Sequence, residues 1–216
     1  MSRIRALLLA AAFLMLSIAM PVTAVEDPYE SLLTAIKNRD LDTVKAWIAR
    51  GMEVDTVDRA GNTLLMLAAR AGNDDMVSYL VAAGAKVKKR NRFNESALML
   101  ASLAGHLVIC QFLIDHDAEF DHDGWTPLIY AALGGHNDVI RLLLGLDVDI
   151  DGASENGTTA LMMAAQAGHV YTVKLLLESH ADADLENESG LTALKWALKQ
   201  GHPEVATVLR EAGLKK

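Results

Sequence analysis

The sequence predicts an all-α solenoid, with about six helix–turn–helix units in a row and short loop or β-hairpin fingers between them. Three observations carry this expectation. One pattern recurs five times, each copy opens near a hydroxyl residue and closes on a glycine, and a second apolar segment follows every copy. The copies are GNTLLMLAARAGN from Gly61, NESALMLASLAGH from Asn94, GWTPLIYAALGGH from Gly124, GTTALMMAAQAGH from Gly157 and GLTALKWALKQGH from Gly190. Self-similarity at such a period is the signature of a stacked array, because one short unit cannot bury its apolar face alone.

The register follows from the hydroxyl markers Thr63, Ser96, Thr126, Thr159 and Thr192. Three of the intervals between them are equal, and the one from Ser96 to Thr126 is shorter. A degenerate copy, SLLTAIKNRD, opens at Ser31, close to one repeat ahead of Thr63. The units therefore start near positions 31, 63, 96, 126, 159 and 192.

Each marker suits a helix N-cap, where its side-chain oxygen accepts a hydrogen bond from an otherwise unpaired amide. Pro127 stands at a first helical position, which needs no N–H. Gly72, Gly105, Gly135, Gly168 and Gly201 then end the first helices in the left-handed conformation. The second helices are read from DDMVSYLVAAG, LVICQFLID, NDVIRLLLG and VYTVKLLLES, whose apolar residues recur at helical spacing. Polar runs such as VDRAG at Val57 and SENG at Ser154 fit tight turns between units.

These residues resemble the ankyrin repeat family, whose units run about 33 residues around a TPLHxA core. TPLIYA from Thr126 is the nearest match, and the pattern covers Ser31 to Leu214. Two departures stand out. The motif's histidine is replaced by Met66, Met99, Ile129, Met162 and Lys195, which removes a polar link and predicts looser, more apolar packing there. The short interval from Ser96 to Thr126 trims the loop around Glu119 to Asp123, which predicts a stubby third finger. The irregular first unit, Lys195, Lys199 and the tail from Leu214 to Lys216 read as solvent-facing ends.

Positions 1–24 read as a signal peptide, leaving 25–216 as the repeat domain. Arg3 and Arg5 precede an uncharged stretch from Ala6 to Met20, and VTA ending at Ala24 supplies small residues at the spacing a signal peptidase needs. The apolar stretch falls short of the roughly 20 residues that span a bilayer, so no stable membrane anchor is expected. Val25 rather than cysteine follows the cut, which leaves no lipoprotein site. A periplasmic or secreted monomer is the expected product.

Charge and composition narrow the function. With 28 acidic against 20 basic residues, the net charge of −8 disfavours nucleic acid and anionic lipid. The single Cys110 permits no internal disulfide and reads as a buried, inert thiol. His106, His136, His169 and His202 follow the turn glycines. Equivalent positions lie about one helix diameter, roughly 10 Å, apart, too far to share a metal ligated at about 2 Å. They read as turn hydrogen-bonders. DVDIDG from Asp147 copies the front of a calcium loop, but Thr158 stands where the bidentate Glu belongs. No cofactor is expected, and no nucleophile or phosphate-loop motif is present.

Family resemblance implies a non-enzymatic module that binds a protein partner on its concave face. Carried over position by position, it assigns Arg59, Arg92 and Phe93 to finger tips, Trp125 beside its turn glycine, and Arg70, Leu103 and Leu133 to the ends of first helices. Arg90 joins Lys86, Lys88, Lys89 and Arg92 in a basic cluster. Phe93, Leu103, Trp125 and Leu133 are expected to form an apolar contact patch, since aromatic and arginine side chains make the strongest anchors. Packing between adjacent fingers would account for Phe93 and Trp125 equally well. Exported bacterial members of the family resemble either accessory factors in oxidative-stress defence or immunity proteins against toxins, and the residues do not choose between them. The contrasting class is a carboxylate- and histidine-based metal-dependent hydrolase centred on Asp115 to Asp123.

Overall fold

In the computed structural model of the protein, residues 28–213 are described. The signal-peptide reading of positions 1–24 and the tail from Leu214 lie outside them. Among the described residues, twelve helices run in six pairs: α1 (Pro28–Lys37) with α2 (Leu41–Ala49), α3 (Leu64–Arg70) with α4 (Asp74–Ala82), α5 (Ala97–Ala104) with α6 (Leu107–Asp115), α7 (Pro127–Gly134) with α8 (Asn137–Leu144), α9 (Ala160–Ala167) with α10 (Val170–Glu178), and α11 (Ala193–Gln200) with α12 (Pro203–Gly213).

The caps form as the spacing predicts. Thr63 Oγ1 accepts from the Met66 amide at 3.2 Å, Ser96 from Met99 at 3.3 Å, Thr126 from Ile129 at 3.3 Å, Thr159 from Met162 at 3.4 Å and Thr192 from Lys195 at 3.2 Å. At the other end Gly105, Gly135, Gly168 and Gly201 take φ of 76, 75, 80 and 77°, where a Cβ would be strained.

First helices form one layer and second helices another. Alanines at the first-helix contacts, among them Ala68, Ala101, Ala131, Ala132, Ala164 and Ala165, are fully buried and let α3, α5, α7, α9 and α11 approach more closely than the second helices do. A stack whose inner layer is tighter bends towards that layer, which makes the first-helix side concave. Leu65, Leu98, Leu128 and Leu161 fill the space between layers together with Leu80, Leu113, Leu143 and Leu176.

Fingers are held by side-chain turns. Asp58 Oδ1 accepts from the amides of Ala60 and Asn62, both at 2.8 Å, and Asn91 and Asn187 do the same in their own fingers. Isolated bridges close three fingers, Val57 to Thr63, Arg90 to Ser96 and Ala153 to Thr159. The shortened third finger has no such bridge among the described residues. Asp121, its counterpart of Asp58, accepts instead from the Asp149 amide of the next finger at 3.4 Å.

The first unit has no hydroxyl at its helix start: α1 begins at Pro28, and Ser31 Oγ, inside it, accepts from Trp47 Nε1 at 3.4 Å. The true register shows at Arg39, which takes φ 60° where Gly72 takes 68°, so the first unit stands one full repeat before the second. The substituted histidine position is apolar, as expected. Met66, Met99, Ile129 and Met162 are fully buried, and the sulfurs of Met66 and Met99 lie 3.4 and 3.1 Å from the amides of Thr63 and Ser96. Methionine bends back to take the polar role in part. Lys195 caps its own finger, donating to Glu186 Oε1 at 2.6 Å and Gly190 O at 2.8 Å.

Candidate partner-binding surface

The turn histidines tie each unit to the one before. Nε2 of His136, His169 and His202 lies 2.9, 3.0 and 3.0 Å from the carbonyl oxygens of Leu103, Leu133 and Gln166, and His106 Nε2 lies 3.2 Å from Arg70 O. Each ring donates to a carbonyl left open at the end of the preceding first helix. The spacing that separates these rings as metal ligands is what lets them act as rivets.

The residues singled out for binding divide into free and committed groups. Arg59, Arg70 and Arg92 are exposed, and Phe93 is 71% exposed at the tip of the second finger. Leu103 and Leu133 are half-buried near the ends of α5 and α7. Trp125 is also half-buried and meets Tyr130 edge-on, with ring centroids 5.7 Å apart. Arg90 is committed: it donates to Asn94 O at 2.9 Å and pairs with Glu119 at 3.1 Å, clasping its own finger to the next loop. The basic cluster is therefore smaller than its sequence suggests.

Sequence reasoning missed Tyr130. It stands at the variable position of TPLIYA, on the concave side of α7, and its hydroxyl donates to Glu95 Oε1 at 2.9 Å across 35 residues of chain. Burial first, then the Glu95 hydrogen bond and the Glu95 and Glu155 charges, push its pKa well above the usual tyrosine value. The same variable position holds Leu67, Leu100, Met163 and Trp196 in the other units. That periodicity could have placed Tyr130 on the groove floor.

Other polar features serve the fold. Asp149 Oδ1 accepts from the Asp151 amide and Asp151 Oδ1 from the Asp182 amide, so the calcium-like acids link fingers. Within Asp115 to Asp123, His116 Nδ1 bonds Phe112 O and its ring stacks on Phe112, Asp115 accepts from Gln111, and His122 Nδ1 bonds Asp123 O. Among the described residues no group of three or more His, Cys, Asp or Glu is placed to hold a metal ion. These residues lend the hydrolase alternative no support. Cys110 is fully buried, and burial pushes its thiol up to about 11, with Ser102 as its neighbour at 3.7 Å. A groove of about 870 Å³ opens between α10 and α12, on the opposite layer, lined in part by Lys174, Glu178, His180, Val208 and Glu211.

Stacked helix pairs with a row of fingers, joined by neighbour-to-neighbour rivets, define a repeat solenoid that presents a continuous surface. The family model for ankyrin repeats in three copies matches residues 10–91, 32–114, 83–154 and 144–216. The chain belongs to the ankyrin repeat family and is a protein–protein interaction module. No curated protein matches it.

Proposed function

We propose that the chain is exported and holds a protein partner on its concave face, as an accessory factor in oxidative-stress defence or as an immunity protein that blocks a toxin. One observation carries the docking reading. Phe93 is 71% exposed at a finger tip beside the unpaired guanidinium of Arg92, at a site where no packing demands an aromatic ring. An exposed aromatic next to an arginine is the composition of a binding anchor. The proposed surface takes in Leu103, Trp125 and Leu133, which are half-buried on the third and fourth units. The leader-like pattern from Arg3 to Ala24 supports export.

The test is capture of partners by the tagged chain from the envelope fraction of its native cells, with N-terminal sequencing of the recovered protein. The reading expects Val25 at the N-terminus and a captured protein that is lost with Trp125→Ala and Arg92→Glu, both retaining wild-type circular dichroism. An uncleaved cytoplasmic product would end the export reading. Capture unchanged in both variants would end the docking one.

A further inference from the structure

The finger tips form one continuous row. The Arg92 amide donates to Ala60 O at 3.2 Å, Arg90 pairs with Glu119, Glu155 Oε1 lies 3.0 Å from where a Cβ on Gly124 would stand, and the Glu188 amide donates to Asn156 O at 3.0 Å. In register with the turn residues Gly61, Asn94, Gly124, Gly157 and Gly190, the residue two places earlier in each finger is Arg59, Arg92, His122, Glu155 and Glu188. Two cations precede a histidine and two carboxylates follow it. Arg59, Arg92, Glu155 and Glu188 are all exposed, and no hydrogen bond or ion pair engages their charged groups among the described residues. The order is antisymmetric about the third finger.

We propose that this row is a self-complementary docking edge, on which a second copy of the chain lies antiparallel about a two-fold axis at the third finger. Such an interface requires that whatever residue i meets, its counterpart meets i. With the axis at His122, Arg92 of one copy faces Glu155 of the other, one finger from the centre, and Arg59 faces Glu188 two fingers out. Phe93, beside Arg92, is carried over the opposing Glu155 and Asn156 and is covered. The third finger, whose preceding loop is trimmed by the short interval from Ser96 to Thr126, sits at the axis. Asp121 and Asp123, both exposed, flank His122 and are placed against their own copies there. At about 10 Å per finger the row runs about 40 Å, long enough for the roughly 800 Å² per copy of a specific interface. A dimer replaces the monomer expected from the sequence. The inference does not depend on the exported partner.

Sedimentation equilibrium of the purified chain at about 0.02 M and about 0.5 M salt tests it. The expected result is a dimer at low salt that weakens as salt rises. Arg92→Glu and Glu155→Arg each set like charges together twice and raise the dimer Kd at least about tenfold, while Asp123→Asn tightens it. The double variant carrying Arg92→Glu and Glu155→Arg restores both pairs and returns Kd to within about threefold of wild type. Circular dichroism checks that each variant is folded. A monomer at low salt, a dimer indifferent to the single reversals, or a double variant no better than the singles overturns the proposal. The last outcome identifies another interface. An outside partner of fixed charge would likewise not be rescued by the swap, so loss of capture and loss of dimer are separate results.

Discussion

His136 Nε2 lies 2.9 Å from the carbonyl oxygen of Leu103, so the turn of the fourth unit is bonded to the end of the third unit's first helix. Its ring also fills the space above Gly105, where an added Cβ would come within 2.4 Å of Nδ1. One side chain thus serves as hydrogen-bond donor and spacer between neighbours. In a solenoid, stability is the sum of such nearest-neighbour terms.

His136→Ala removes a half-buried hydrogen bond worth about 1 kcal/mol and part of an interface. The expected cost is roughly 1–2 kcal/mol, read as a fall in the urea midpoint. A broadened or two-step transition would accompany it as the third and fourth units uncouple. An unchanged midpoint would show that the rivet carries no load.

Gly134 is a helical residue without positive φ, so its need for glycine is purely spatial. A Cβ there would stand 2.6 Å from Leu103 O, a backbone atom that cannot move aside, and 2.4 Å from the His136 ring. Helix propensity favours alanine by about 1 kcal/mol, whereas overpacking costs about 1–3 kcal/mol. Gly134→Ala is therefore expected to lower thermal stability, and a rise in Tm would speak against the close approach.

Asp58 supplies a pH dependence whose sign is determined. Burial alone would raise its pKa, but the Asn62 side chain, the amides of Asn62 and Ala60 and the charge of Arg70 outweigh it and hold the pKa below the usual value. A lowered folded pKa means that the contribution is complete above the unfolded value, about 3.9, and fades as pH falls past it through the folded value. Wild-type stability is expected to drop below about pH 4 more steeply than that of Asp58→Asn. Equal slopes in paired urea titrations would count against the shift.

Cys110 is expected to resist thiol reagents in the folded chain. Its sulfur is fully buried and its pKa is raised to about 11, so both access and thiolate are lacking. Labelling at pH 8 should proceed only as fast as the second helix of its unit opens, and should become rapid in denaturant. Fast labelling of the native protein would place the thiol elsewhere.

The repeat register is legible in the sequence because local chemistry enforces it: a hydroxyl caps each first helix from Thr63 onward, and a glycine closes it. The first unit hides its register because Arg39 takes the left-handed conformation that elsewhere requires glycine, and its guanidinium donates to Ala71 O at 2.6 Å. Of the surface, Phe93 and the exposed arginines can be read from their tip positions. The commitment of Arg90 to Glu119 and of Tyr130 to Glu95 cannot, since these contacts cross 29 and 35 residues of chain and depend on how far neighbouring units turn.

Docking on the finger-and-first-helix side of the stack is best probed by photo-cross-linking in the native cells. Cross-linkers are placed at positions 93 and 133 on that side, and at exposed Tyr171 on the second-helix layer. Adducts to a protein of another sequence are expected from 133, adducts to that protein or to a second copy of the chain from 93, and none from 171. Adducts from 171 alone would mean that partners meet the opposite face.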